Sequence, residues 1–197
     1  IDWDSPTESP LSTPIKYLDG GPTIGLTCLQ GKDGTKVLII KRTANAPFSA
    51  STTDNKVYLT TTGLNGTLTV GKVTYTTAPP WYWEYFVHGY YINEENGVPS
   101  LHRVRLIADD GGNLDVTPSE NIVPGVEYFG VTFGIDTDGD GVADTMKNNP
   151  TEAEMYQAVS AQLDILMRSV NEDLVYNNNK TYYVGGTSIS TLNGTGY

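Results

Sequence analysis

A run of β-forming residues that empties straight into a cluster of aspartates limits the fold of this chain more than any other stretch. Val126–Ile135 (VEYFGVTFGI) is β-branched and aromatic and reads as a strand. Gly134–Lys147 (GIDTDGDGVADTMK) continues it, with Asp136, Asp138, Asp140 and Asp144 close together and Gly139 and Gly141 among them. Adjacent carboxylates at ~4 Å repel by roughly 1 kcal/mol even in water, so this segment is best tolerated around a cation. The spacing is that of a calcium loop, whose ligands come from positions 1, 3, 5, 7 and 9 with a glycine at 6. Asp136, Asp138 and Asp140 take the first three positions, Gly141 makes the turn, Val142 offers its carbonyl, and Asp144 acts directly or through water. An EF-hand closes with glutamate at position 12; here that residue is Lys147, and a strand rather than a helix leads in. The expectation is therefore a strand-exit loop for Ca²⁺, with any late ligand drawn from Glu152, Glu154 or water. The plainer alternative is an Asp/Gly turn that binds nothing. Magnesium, which demands tighter geometry, fits less well.

The rest of the chain repeats the β pattern. Thr35–Arg42 carries an apolar run typical of a covered strand. Lys56–Thr62 and Thr67–Thr77 read as a hairpin about Asn65-Gly66. Trp81–Tyr91 and Leu101–Ala108 are further strands, separated by a polar turn over Asn93–Ser100. Asp109–Asn113 is a turn, Leu114–Glu120 a loop, and Val123–Ile135 a strand region. Asn149 and Pro150 suit the start of a short helix near 150–158, with Glu152 and Glu154 in its first turn. From Val159 the period becomes two and only Leu166 breaks the alternation, which predicts a half-buried strand. Residues 1–34 read as irregular, anchored by Trp3 and Tyr17, and 171–197 as a polar tail with one strand at Lys180–Val184. The expected fold is mostly β, with seven to nine antiparallel strands and at most one short helix, in a single domain over 1–197.

Charge narrows the function. The chain has 23 acidic and 12 basic residues, a formal charge of −11. That argues against nucleic acid and against an anionic membrane surface, and it suits calcium or basic protein partners. The lone Cys28 excludes an internal disulfide framework. No stretch approaches the ~20 apolar residues of a transmembrane helix. The chain starts at Ile1 rather than methionine and reads as a piece of a longer protein.

Enzymatic constellations are sparse. His88 and His102 lie on neighbouring predicted strands and could face each other, with Glu84 or Glu94 as a third zinc ligand, but no metal-binding spacing supports them. No nucleophile elbow, phosphate loop or Cys-His pairing is present, so the expected role is not enzymatic. Trp81, Trp83 and Tyr85 share one face of a strand. They form either a core face or an exposed row on which sugar rings could stack, the second giving a calcium-dependent carbohydrate-binding or adhesin module.

Several stretches resemble one family in order and spacing: TKVLIIKRT near the start, Tyr85-Phe86-Val87, NGVPSLHRVRL at Asn96–Leu106, VEYFGVTFGIDTDGDGVADT at Val126–Thr145, and AVSAQLDILMRSV at Ala158–Val170. Together they resemble the PilW type of type IV pilus minor pilin, which is similar to the J-type pseudopilins of type II secretion. The resemblance covers roughly residues 30–170. It implies an α+β pilin-like head whose N-terminal helix, the membrane anchor before assembly, lies outside this chain, and a partner for Cys28 could lie there too. It also implies a structural subunit of a pilus tip or priming complex, assembled with other minor pilins and able to carry an adhesin. Such a subunit would be inner-membrane anchored before assembly, then periplasmic and at the pilus tip. No active-site residue is carried over.

Overall fold

A computed structural model of the chain describes residues 14–19, 31–47, 55–61, 66–71, 81–171, 175, 180–184 and 187–190. Among these residues the chain is mostly β, with thirteen strands, one helix and only antiparallel pairings. The larger sheet holds β1 (Ile15–Asp19), β2 (Lys36–Thr43), β3 (Val57–Thr61), β4 (Gly66–Val70), β5 (Trp81–Glu95), β6 (Val98–Ala108), β7 (Leu114–Val116) and β8 (Glu120–Pro124). A second sheet is ordered β10 (Thr145–Lys147), β9 (Val126–Ile135), β11 (Ala158–Met167), and β12 (Thr181–Val184) pairs with β13 (Thr187–Ser190). The helix α1 spans Glu152–Met155.

The fifteen-residue β5 is the spine of the larger sheet. One edge carries β2, from Val37 opposite Tyr91 to Thr43 opposite Tyr85. The other carries β6, from Glu95 opposite Val98 back to His88 opposite Arg105. There β6 leaves to pair with β7, and β3 pairs with Trp81–Glu84. The polar turn expected over 93–100 shrinks to Asn96-Gly97, both at positive φ (53° and 77°). These are the dihedrals of a type I′ turn, whose twist matches that of the strands and lets pairing run to its rim.

Direct cross-strand partners share a face, so the register sorts the side chains. Val37, Ile39, Val57, Tyr85, Val87, Tyr91, Val104 and Leu106 form a buried cluster on one face. On the other, Leu38, Ile92, Leu101, Ile15 and Tyr17 meet Phe129, Val131, Phe133 and Ile135 of β9. Tyr17 meets the Phe133 ring edge to face at 5.9 Å, and its hydroxyl accepts the Val131 amide at 2.9 Å. The sequence expectation that Tyr17 anchors the N-terminal segment holds, while Trp3, Cys28 and the far half of the 67–77 strand lie outside the described residues.

Several expectations need correction. Ile15–Asp19, within the span 1–34 whose sequence predicts irregular chain, is a strand paired with β2. Leu114–Glu120 is not simply loop: Leu114–Val116 is the short β7, Glu120 opens β8, and Gly125 then separates β8 from β9. These strands are too short to show a period. The helix is capped by Thr151 rather than Asn149; its hydroxyl accepts the Glu154 amide while the Glu154 carboxylate accepts the Thr151 amide, a capping box. Asn149 instead accepts from Lys36 at 3.2 Å. β11 is the expected strand, with a register shift at Leu166/Met167 where the alternation breaks. It is not half-buried, however: Leu163, Ile165 and Met167 are 58%, 46% and 56% exposed. Leu163 and Ile165 lie opposite Val131 and Phe129 and so point the same way, while Met167 lies opposite Val126 past the register shift; at the sheet edge all three stay exposed.

Gly125 joins the two sheets. Its amide donates to Pro99, its carbonyl accepts from Arg168, and its φ is +81°. A Cβ there would lie 2.6 Å from the Arg168 carbonyl oxygen. Left-handed backbone costs a non-glycine residue about 1–2 kcal/mol, and the collision with main chain adds to it. Gly125→Ala is expected to lose ~2–4 kcal/mol, seen as a melting point roughly 5–15 °C lower. An unchanged melting point would show that this junction does not hold the sheets together.

Candidate functional site

The aspartate stretch is the nine-residue connection of the β9–β10 hairpin, whose strands pair from Ile135 opposite Thr145 to Phe133 opposite Lys147. Two main-chain bonds fix its ends: the Asp144 amide donates to Ile135 at 2.9 Å, and the Asp136 amide to Gln157 at 2.9 Å. Gly139 and Gly141 have φ of 83° and 87°. These left-handed turns aim successive amides inward, and both meet Asp136: Oδ1 accepts from Gly139 at 2.6 Å and Oδ2 from Gly141 at 2.7 Å. Asp144 Oδ2 accepts from the amide and hydroxyl of Thr137 at 2.8 and 2.7 Å. Hydrogen bonds to the charged form favour it, so both carboxyls are held below the usual range, Asp136 by the Gly141 and Gly139 amides and Asp144 by Thr137.

Carboxylate oxygens of Asp136, Asp138 and Asp144 all lie within 4.8 Å of one another. Asp136 is buried and the other two are exposed. This three-oxygen cluster suits a hard cation that takes oxygen ligands. Asp140 is not in it; its Oδ1 accepts the Val142 amide at 2.7 Å. Of the late ligands weighed, Glu154 is committed to the capping box and to an ion pair with Lys147. The lysine at the closing position of the loop thus takes up the glutamate that would have replaced it.

The histidines do not converge. His102 pairs with Tyr91 and shares its face, whereas His88, three residues before Tyr91, points to the other side of the sheet. Glu84 pairs with Lys56 and Glu94 with Lys32, each at 2.9 Å. Sequence proximity brought the histidines to neighbouring strands, and the pleat separated them. Nor do Trp81, Trp83 and Tyr85 form a flat platform. Trp81 is exposed, Trp83 half-buried, and Tyr85 sits in the core, where burial pushes its phenol up to about 12.

His102 is fully buried. Its Nδ1 is 2.7 Å from Ser119 Oγ, which also accepts the Tyr91 hydroxyl at 2.7 Å. Its Nε2 lies 3.9 Å from Glu95 and has no hydrogen-bond partner among the described residues. Burial lowers its pKa, with Glu95 opposing, and burial together with Arg103, Arg42 and Arg105 lowers that of His88.

A second cluster drew no attention in the sequence. Arg42, Lys56, Arg103 and Arg105 line a cavity of about 510 Å³ with His88, Phe86 and Glu84. These residues come from β2, β5, β6 and the residue just before β3, and only the register reveals that they meet.

A family model described as Type IV Pilus-assembly protein W matches residues 89–197, more than half of the chain. Searches of curated proteins and of solved structures return no match. The matched span runs from the middle of β5 through the aspartate hairpin to the last residue.

Both histidines are shifted down, so below about 6.5 the unfolded chain binds protons that the folded one refuses. Stability therefore rises with pH across that window and falls as pH drops through it. Melts at pH 7.5 and 5.5, above the carboxylate range, should show a lower melting point at 5.5, with a smaller loss in His102→Gln. An equal loss in that variant would remove the buried imidazole as a cause.

Proposed function

Because the chain belongs to the type IV pilus-assembly protein W family, we propose that it is a structural minor pilin subunit of the tip or priming complex of the pilus. It assembles there with other minor pilins and carries an adhesin. The family match is the observation that carries this reading. Two surface features support it. β11 is an edge strand with Leu163, Ile165 and Met167 exposed, an apolar row suited to burial against another subunit. The net charge of −11 gives electrostatic selection among partners. No helix of the described residues is long and apolar enough to cross a membrane; the subunit would be held in the inner membrane before assembly by a helix outside this sequence, then pass to the pilus tip. The test is co-purification with the sibling minor pilins encoded beside it, together with piliation of a deletion strain. Association and impaired piliation are expected. Failure to bind any sibling, with normal piliation, would overturn the reading.

The aspartate loop has a place in the same proposal, as a Ca²⁺ site that stiffens the β9–β10 hairpin. Asp136, Asp138 and Asp144 supply the clustered oxygens, with Asp140 and the Val142 carbonyl on the remaining positions of the calcium-loop spacing. Because Lys147 stands at the closing position, affinity should be near the ~10⁻⁴–10⁻³ M of extracellular modules. At ten times its dissociation constant calcium would add roughly 1.4 kcal/mol to stability, or roughly 3–6 °C. A melt in EGTA against millimolar calcium should show that rise in wild type and none in Asp138→Ala. A wild-type melting point that calcium does not move would reduce the stretch to an acidic turn.

A further inference from the structure

The face of the larger sheet that receives β9 changes character along its length. Where β9 covers it, the residues are Leu38, Ile92 and Leu101. Beyond that cover the same three strands present Arg42 on β2, Phe86, His88 and Tyr90 on β5, and Arg103 and Arg105 on β6. Register fixes their placement: Arg42 lies opposite Phe86, Arg105 opposite His88 and Arg103 opposite Tyr90. One guanidinium group from β2 and two from β6 therefore flank an aromatic column. Its rings meet edge to face, Phe86 to His88 at 6.4 Å and His88 to Tyr90 at 6.2 Å. The cavity opens where β5 passes from its β6 partner to its β3 partner, and Lys56 joins the wall from beside β3.

Four of the chain's 12 basic residues thus line one cavity, with Glu84 as the single carboxylate among the described residues that line it, in a protein of net charge −11. The internal pairs do not balance them. Glu84 is taken by Lys56 at 2.9 Å, and Glu120, at the rim, by Arg103 at 2.7 Å. Among the described residues Arg42 and Arg105 form no ion pair; Arg42 lies over the Phe86 ring at 4.3 Å, and the Arg105 side chain is exposed. The three arginines also act in one direction on His88, each disfavouring its protonation. Like charges are gathered here at a cost that an anion would remove. Guanidinium groups match carboxylates as a two-pronged fork, and aromatic edges, positive at the rim, favour the same guest. A volume of about 510 Å³ is in the range of ligand sites.

We propose that this cleft is a docking site for an acidic segment of a partner protein, with a carboxylate seated between Arg42 and Arg105. It rests on the pilus-assembly reading only for the kind of partner: a family that works in an assembly meets protein chains. The mixture of guanidinium forks with aromatic rings along β5 also suits a peptide better than a bare inorganic ion, which has no apolar surface to lay against the rings.

The test is fluorescence anisotropy of a fluorescein-labelled hexaglutamate peptide against the whole chain, with the hexaglutamine peptide as control. Saturable binding of the acidic peptide alone is expected, weakened by added salt. Arg42→Gln/Arg105→Gln should weaken it at least tenfold, while Lys180→Gln leaves it unchanged. Both arginines are exposed, and a melt of the double variant checks that it folds; if it does not, Arg105→Gln alone should still weaken binding severalfold. Equal affinity in a folded variant, or no binding to wild type at low salt, would overturn the proposal. So would inorganic phosphate, or vesicles rich in phosphatidylserine, binding through these arginines more tightly than the peptide. Co-purification with sibling pilins, run on wild type and double variant, separates the two levels. Siblings held equally by both, with no peptide effect, would sink the cleft alone; siblings held by neither, with peptide binding intact, would sink the assembly reading alone.

Discussion

The structure depends on the seating of β9 against one half of the larger sheet. Phe129, Val131, Phe133 and Ile135 alternate along one side of that strand and are buried almost completely. Their partners come from β1, β2, β5, β6 and β8, so this single contact ties together segments more than a hundred residues apart. Each fully buried side chain of this kind contributes ~1.5–3 kcal/mol relative to exposure. The opposite side of β9 carries Gly130 and Gly134, both buried. A Cβ on Gly134 would stand 2.2 Å from Ser160 Oγ and 2.7 Å from Ala143, so the smallest side chain lets the neighbouring strands close over it. The ionic contact beside this core has the same logic: the Glu127 side chain, only 9% exposed, sits between Lys32 and Arg168, where a lone carboxylate would be costly.

That seating also determines where chemistry is left. β9 ends at the aspartate hairpin, so the loop is presented from a rigid strand and pinned at Asp136 to the turn before β11. At its other margin the cover stops short of Arg42, His88 and Arg105, leaving a cationic recess on an acidic molecule. An acidic loop, a basic recess and the apolar row of β11 are three surfaces of different chemistry. A pilus-assembly protein that meets protein partners would have use for such differences.

Sequence carried the local structure well where a signal was local. The β-branched run Val126–Ile135, the alternation after Val159 and its interruption at Leu166 all reappear in the strands. Asn96-Gly97 is a hairpin turn in both, though the flanking polar residues hid how far the pairing extends. β1, β7, β10, β13 and most of β8 escaped because three to five residues show no period, and their existence depends on an edge supplied by another strand. The aspartate cluster was legible because its residues are contiguous; that Asp140 stands outside the closest group depends on turn dihedrals, which spacing alone does not give. The arginine cleft was hidden for the opposite reason, since Arg42 and Arg105 are remote in sequence and meet only through the register of β2, β5 and β6. The exposure of Leu163 and Ile165 was likewise hidden, because alternation reports a face and not what covers it.

Amide hydrogen exchange of the native protein tests the role of β9 most directly. If its packing holds the two sheets as one cooperative unit, the amides of Phe129, Val131 and Phe133 should exchange only through global unfolding, at the same free energy as those of Ile39 and Tyr91 in the larger sheet. Exchange of the β9 and β11 amides through a lower-energy opening, while the larger sheet stays protected, would contradict the account.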